Sequence, residues 1–240
     1  MQSDILAQAQ EMYKNKDYGK AIRLAKEYIK VNGDSQQALM LLAKSYVDKG
    51  DSGNGIKLLK KITEMNGREK EAWLYMGMAH SRKKKVKEAI DYFKKALDID
   101  PNYVKALNLL GIHSAEVGDE GSASSYFIKL LEVDPSYKQG WYNLGLFYTK
   151  KKDYAKAEEA YNKAISLDAK FVPAIYNLAG LYCLTRDDTR FDSTVARLAE
   201  LNPKLSKGLQ KDCKRERKKM DKEQNGPGTG SKIKSFFGRS

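Results

Sequence analysis

The sequence predicts an all-α solenoid of six stacked helix-turn-helix units, followed by a C-terminal capping helix and a flexible basic tail. Three observations predict it. The chain repeats itself every 34 residues: Asp100-Pro101 recurs one period on as Asp134-Pro135, and Trp73 recurs two periods on as Trp141. Two columns of the repeat hold small residues. An acidic residue returns between the two halves of nearly every block.

Starting at Gln2, the period divides the chain into blocks 2–35, 36–69, 70–103, 104–137, 138–171 and 172–205, with no insertion. Position 4 of the block is large and apolar: Ile5, Leu39, Trp73, Leu107, Trp141 and Ile175. Position 8 is Ala or Gly throughout: Ala9, Ala43, Gly77, Gly111, Gly145 and Ala179. Position 20 is small in the first five blocks, with Phe191 discordant in the sixth. Small residues at 8 and 20 let the backbones of two helices approach, while larger ones at 4, 7, 11 and 24 fill the space around them. The second helix ends at position 32, where Gly33, Gly67, Pro101, Pro135 and Pro203 stand and only Ala169 departs. The polar turn between the two helices carries Asp17, Asp51, Asp119, Asp153 and Asp187, with Lys85 the exception.

The columns resemble the tetratricopeptide repeat. Block five carries most of that signature in Trp141, Leu144, Gly145, Tyr148, Ala157, Tyr161 and Ala164, and the block around Trp73 departs mainly at His80. Blocks one, two and six match less well, as terminal units of an array do. The resemblance covers 2–205. It implies a right-handed superhelix whose first helices line a concave, ligand-binding side.

Beyond Leu205, residues 206–224 read as a basic polar helix with Leu205 and Leu209 as its few apolar contacts. Residues 225–231 have linker composition, and 232–240 form a short basic end. Residues 206–240 hold 11 Lys and Arg against 4 Asp and Glu, so +7 of the chain's net +13 lies there.

Little in the sequence points to chemistry. The N-terminal residues lack the basic and apolar regions of a secretory signal, and no stretch approaches a membrane span. Cys183 and Cys213 are too few for a disulfide framework or a cysteine-built zinc site, and suggest a reducing, cytoplasmic setting. His80 and His113 occupy adjacent first helices without Cys or carboxylate partners in the pattern, a poor metal site. No nucleotide-binding glycine loop is present. We expect no enzyme activity, no cofactor and no metal; function has to come from a surface.

The resemblance assigns groove positions 2, 5, 6, 9, 12 and 13 of each block. They include Met40, Lys44, Leu74, Tyr75, Met78, Lys105, Asn108, Ile112, Tyr142, Asn143, Leu146, Tyr176 and Asn177. Apolar and aromatic anchors with interleaved amides suit an extended peptide or a short helix of a partner protein. The two-carboxylate clamp of chaperone-binding family members is largely missing: Asn143 fits, but Ile112, Asn108, Pro173 and Asn177 stand at its other positions.

Basic runs supply the alternative reading. Arg82, Lys83, Lys84 and Lys85 and then Lys150, Lys151 and Lys152 fall in turns, and Lys214, Arg215, Arg217, Lys218 and Lys219 in the tail helix. Together they suggest an adaptor drawn to an anionic membrane, an organelle surface or a nucleic-acid-associated partner. The runs lack the aromatics that base stacking needs. At the end, Ile233, Phe236 and Phe237 have the spacing of a sliding-clamp-binding peptide, with Gly230 where Gln is usual. Edge-to-edge stacking of terminal repeats is the physical route to self-association.

Overall fold

The helical hairpin is set by one backbone device used six times. Lys16, Lys84, Lys152 and Arg186 have φ of 60–61°, and Gly50 and Gly118 have φ of 100° and 83°. These six residues are spaced 34 apart. The left-handed residue reverses the chain, and the next N–H reaches back five residues: Asp17 to the Met12 carbonyl, then Asp51 to Tyr46, Lys85 to His80, Asp119 to Ser114, Asp153 to Tyr148 and Asp187 to Tyr182, at 2.8–3.0 Å. The aspartates of this turn then cap the following helix. Asp17, Asp51, Asp119, Asp153 and Asp187 accept from the N–H three residues on, whereas Lys85 leaves its helix without a side-chain cap.

The computed structural model describes residues 2–224, and all thirteen elements found there are α-helices. They are α1 (Gln2–Lys14), α2 (Tyr18–Asn32), α3 (Gln36–Lys49), α4 (Ser52–Met65), α5 (Lys70–Arg82), α6 (Val86–Ile99), α7 (Val104–Glu116), α8 (Glu120–Val133), α9 (Lys138–Lys150), α10 (Tyr154–Leu167), α11 (Val172–Thr185), α12 (Asp188–Leu201) and α13 (Pro203–Gln224). None is long and apolar enough to cross a membrane. The fold is an all-α solenoid in which α1 to α7, and again α9 to α13, pack each on its chain neighbours. It divides inside α8 into two compact units, Met1–Tyr126 and Phe127–Ser240.

In the first unit α1, α3 and α5 lie side by side. Its interior runs through three apolar clusters, centred on Leu6 and Leu42, on Leu59 and Met76, and on Phe93 and Leu110. The small columns work slightly differently from the expectation. A Cβ on Gly77 would sit 2.4 Å from the Phe93 ring, so position 8 accommodates the side chain at position 24. Gly55, at position 20, is the site where backbones close in: its added Cβ would lie 2.5 Å from Val47 and 3.5 Å from the Ala43 carbonyl. Trp73 donates its indole N–H to the Gly67 carbonyl at 2.8 Å, tying the first helix to the turn before it.

The second unit repeats these devices. A Cβ on Gly145 would meet the Tyr161 ring at 2.5 Å, and Trp141 donates to the Pro135 carbonyl at 2.8 Å. Its interior is one continuous cluster from Tyr142 to Cys213, and α11 is buried along almost its whole length because α9, α10, α12 and α13 all contact it.

Here the structure corrects the expectation about the cysteines. Cys183 of α11 and Cys213 of α13 are disulfide-bonded, with Cα atoms 5.9 Å apart. Two cysteines cannot build a framework, but one bond fastens the last helix to the array. The expectation rested on a count; the pairing depends on α13 turning back along α11.

Candidate peptide-binding cleft

The open side of α1, α3 and α5 forms a cleft of about 600 Å³ within the first unit. α1 contributes Gln10, Tyr13 and Lys14. α3 contributes Gln36, Gln37, Met40, Leu41 and Lys44, the N-cap of α5 contributes Glu69, and α5 itself contributes Glu71.

A polar network holds its floor. The Tyr13 hydroxyl donates to Asp48 Oδ2 at 2.5 Å and lies 2.9 Å from the Tyr75 hydroxyl. Since the one Tyr13 proton goes to Asp48, Tyr75 is the donor to Tyr13. Burial pushes the Tyr13 phenol far above its ordinary value and Tyr75 up to about 12, so both stay neutral donors at any physiological pH. Lys44 Nζ sits 5.3 Å from the Tyr13 ring centre and 5.4 Å from that of Tyr75, and bonds Glu71 Oε1 at 2.9 Å. Cation–π attraction and the ion pair together fix an amine that is only 20% exposed. Gln36 Nε2 donates to Glu69 Oε2 at 2.9 Å, while the other Glu69 oxygen caps the Glu71 N–H. The wall is therefore rigid, and Gln10, Gln37 and Lys14 stand at its rim.

Of the residues expected in a groove, Met40 and Lys44 line this cleft, and Tyr75 supports it from beneath. Met78, Lys105, Asn108 and Ile112 do not line it. The other six, Leu74, Tyr142, Asn143, Leu146, Tyr176 and Asn177, are corrected to interior packing. Leu74 is 2% exposed in the Phe93 cluster. Tyr142 packs edge-on to Phe171 and accepts a 2.9 Å bond from Asn177, and both it and Tyr176 are buried. Asn143 is buried too, and Leu146 half-buried against the same cluster. In an array, residues at these positions are covered by the following repeat. The missed residues Gln10, Tyr13, Lys14, Gln36, Gln37, Leu41 and Glu69 belong to blocks one and two, whose signatures are weaker than those of the central blocks.

The basic residues are divided. Arg82, Lys83, Lys84 and Lys85 belong to the first unit, where Arg82 lies 3.7 Å from Asp48 and Lys85 2.9 Å from Glu88. Lys150, Lys151 and Lys152 belong to the second. Arg217 is corrected from an outward charge to an inward one: it donates to the Cys183 carbonyl at 3.0 Å, pairs with Asp188 and lies over Phe191. Arg215 and Lys219 are pulled towards buried Glu216, while Lys214 and Lys218 point to solvent. His80 and His113 each face a carboxylate of their own, Glu88 at 2.7 Å and Glu116 at 2.9 Å. Among the described residues no group of three His, Cys, Asp or Glu is placed to hold a metal. Ile233, Phe236 and Phe237 lie outside the described residues.

Helical hairpins stacked at a fixed period, with an open cleft along their first helices, define a helical-repeat protein of the kind that presents surfaces to other proteins. The tetratricopeptide-repeat profile matches residues 71–103 and 139–171, and a second profile of the same repeat matches 6–53. The chain carries the tetratricopeptide repeat in those segments. Its fold is similar to that of a thermophilic tetratricopeptide-repeat protein from Thermus thermophilus, with TM-score 0.66 and 18% identity over 75% of this chain and 98% of the other. It is also similar to PilF of Pseudomonas aeruginosa, at TM-score 0.72 and 15% identity over 88% and 97%. A third similarity is to MamA of Desulfovibrio magneticus, at 0.63 and 20% over 71% and 97%. At these identities the likeness is one of fold. Comparison with curated protein sequences finds no match.

Proposed function

We propose that the protein is a non-enzymatic scaffold that binds an extended peptide segment of a partner protein in the cleft between α1, α3 and α5, and so brings that partner into an assembly. The supporting observation is a preformed, open site with an aromatic and apolar floor, a fixed amine and amides at the rim. Apolar anchors can give affinity while the Gln10 and Gln37 amides hold peptide backbone. Rigidity matters, because a wall already held by the Asp48–Tyr13–Tyr75 bonds loses little freedom on binding. In this reading the repeats are bounded as 2–35, 36–69, 70–103, 104–137, 138–171 and 172–205.

The test compares the full chain with a Lys14→Glu, Gln37→Arg variant, both positions being exposed at the rim. Proteins captured from source-cell lysate at low and high salt are identified, and the affinity of each is then measured. The reading expects capture that survives high salt and falls at least about tenfold in the variant, or ~1.4 kcal/mol. Equal capture by both proteins would remove the cleft from the function.

A cytoplasmic setting forms part of this reading only with Cys183 and Cys213 as thiols, since disulfides persist in oxidising compartments. Trapping thiols in intact cells and mapping the labelled peptides separates the two. Labelling of both cysteines supports the cytoplasm; a protected pair places the protein elsewhere.

A further inference from the structure

We propose that α13 is an electrostatic rail that holds the protein flat against an anionic phospholipid bilayer without inserting into it. Lys204, Lys207, Lys211, Lys214, Lys218 and Lys222 follow one another at three or four residues, all are exposed, and none has an ion-pair partner among the described residues. At 3.6 residues per turn they fall within about 80° of arc, and at 1.5 Å rise they span ~27 Å.

The opposite face of the same helix is committed to packing. Leu209 is fully buried, Cys213 is bonded to Cys183, and the Ser206 hydroxyl donates to the Val195 carbonyl at 3.1 Å. Three of the helix's acids are paired as well: Asp212 with Arg215, Glu216 with Lys219 and Asp221 with Arg186. The fold therefore buries the apolar surface, pairs these acids and leaves the lysine edge unpaired.

Its occupant follows from that geometry. A helix that binds membranes by insertion needs a free apolar face, and α13 has none to give. Attraction of lysine to anionic headgroups needs only charge held near a plane. Six lysines along one edge of a straight helix can all meet a plane at once. On a nucleic-acid duplex the phosphates spiral away from a straight rail, so fewer lysines would reach them. The stripe contains no aromatic or arginine for base stacking or bidentate grip on phosphate. The inference is independent of the peptide cleft, which belongs to the other unit.

The test is sedimentation of the full chain with phosphatidylcholine vesicles, with and without phosphatidylserine, at low and high salt. Lys207→Gln, Lys211→Gln and Lys214→Gln are combined in one variant. Lys83→Gln, Lys84→Gln and Lys152→Gln make a second variant of the same net charge, altered only in the turns. We expect binding to serine-containing vesicles at low salt and none to neutral ones. Each rail lysine accounts for about a fivefold change, so the rail variant binds about 100-fold more weakly. The turn variant binds like the parent, and far-ultraviolet circular dichroism is the same for all three. An equal loss in the turn variant would reduce the effect to net charge and overturn the rail. So would absence of binding at low salt, or release from vesicles by a short DNA duplex at equal phosphate concentration.

Discussion

Replacing Gly145 by Ala tests the packing logic of the whole array. In an isolated helix the change favours folding by ~1 kcal/mol. In this fold the new methyl would lie 2.5, 2.6 and 3.0 Å from three carbons of the Tyr161 ring. Carbon contacts settle near ~3.5 Å, so the ring must retreat by about 1 Å. It has nowhere to go: Tyr161 is fully buried, and its hydroxyl lies 3.0 Å from Thr149 Oγ1, which itself donates to the Gly145 carbonyl at 2.8 Å. Overpacking of this kind costs ~1–3 kcal/mol, and loss of the Thr149 contact adds ~1. Against the helical gain, the net is a loss of ~1–3 kcal/mol. Urea and thermal unfolding followed by circular dichroism measure it. Gly208→Ala is the control, since nothing lies within 4 Å of its added Cβ; it should gain ~0.5–1 kcal/mol. Combining Gly145→Ala with Tyr161→Leu should cost less than the sum of the two, because the smaller side chain vacates the contested space. A Gly145→Ala protein as stable as the parent would refute the account.

Three further outcomes are expected. Lys85→Asp supplies the one missing turn aspartate and should raise stability by ~1 kcal/mol; an unchanged or lower melting temperature would count against the capping argument. Cys213→Ser, or reduction of the parent, opens a closed loop of about 30 residues and should lower stability of the second unit by ~3.5 kcal/mol on the chain-entropy estimate; identical denaturation with and without reductant would contradict it. Acid should weaken the fold. Hydrogen bonds from Lys20, Asn54, Ser122 and Arg190 hold the carboxyls of Asp17, Asp51, Asp119 and Asp187 below their ordinary value. Their stabilisation is present above the unfolded value near pH ~4 and is lost as pH falls through the folded one. A melting temperature flat from neutral pH to below pH ~3 would show that these caps contribute nothing.

Much of the fold was legible in the sequence because a repeat prints its physics at a fixed interval. The glycines opposite Phe93 and Tyr161 and the aspartate caps appear as columns. The left-handed turn residue did not, since Lys and Arg fill it in four hairpins and Gly in only two, and side-chain identity hides a backbone requirement. The cleft was legible as a rule of positions and misread in its members. Tyr142 and Tyr176 resemble ligand anchors on a single helix, yet each is buried by later residues. The charge runs were misjudged for a related reason. Counting placed Arg217 with its basic neighbours, while the fold turns it inward onto Phe191.

Phe191 shows why the array ends where it does. In the other five blocks that column is Ala or Gly, and the second helix approaches its partner closely there. A phenylalanine in the column needs apolar surface to cover its ring. α13 meets that condition: the cluster that takes in Phe191 also holds Leu209 and Cys213, and Arg217 lies across the ring at 5.7 Å. The outlier in the repeat and the long basic helix after it are therefore two halves of one solution. In the sixth hairpin that column holds a bulky contact that α13 covers. That helix, having spent its few apolar residues inward, turns a nearly pure lysine edge outward. The charge asymmetry of the chain then follows from how the solenoid is terminated, and any function of the rail has to operate with the cap in place.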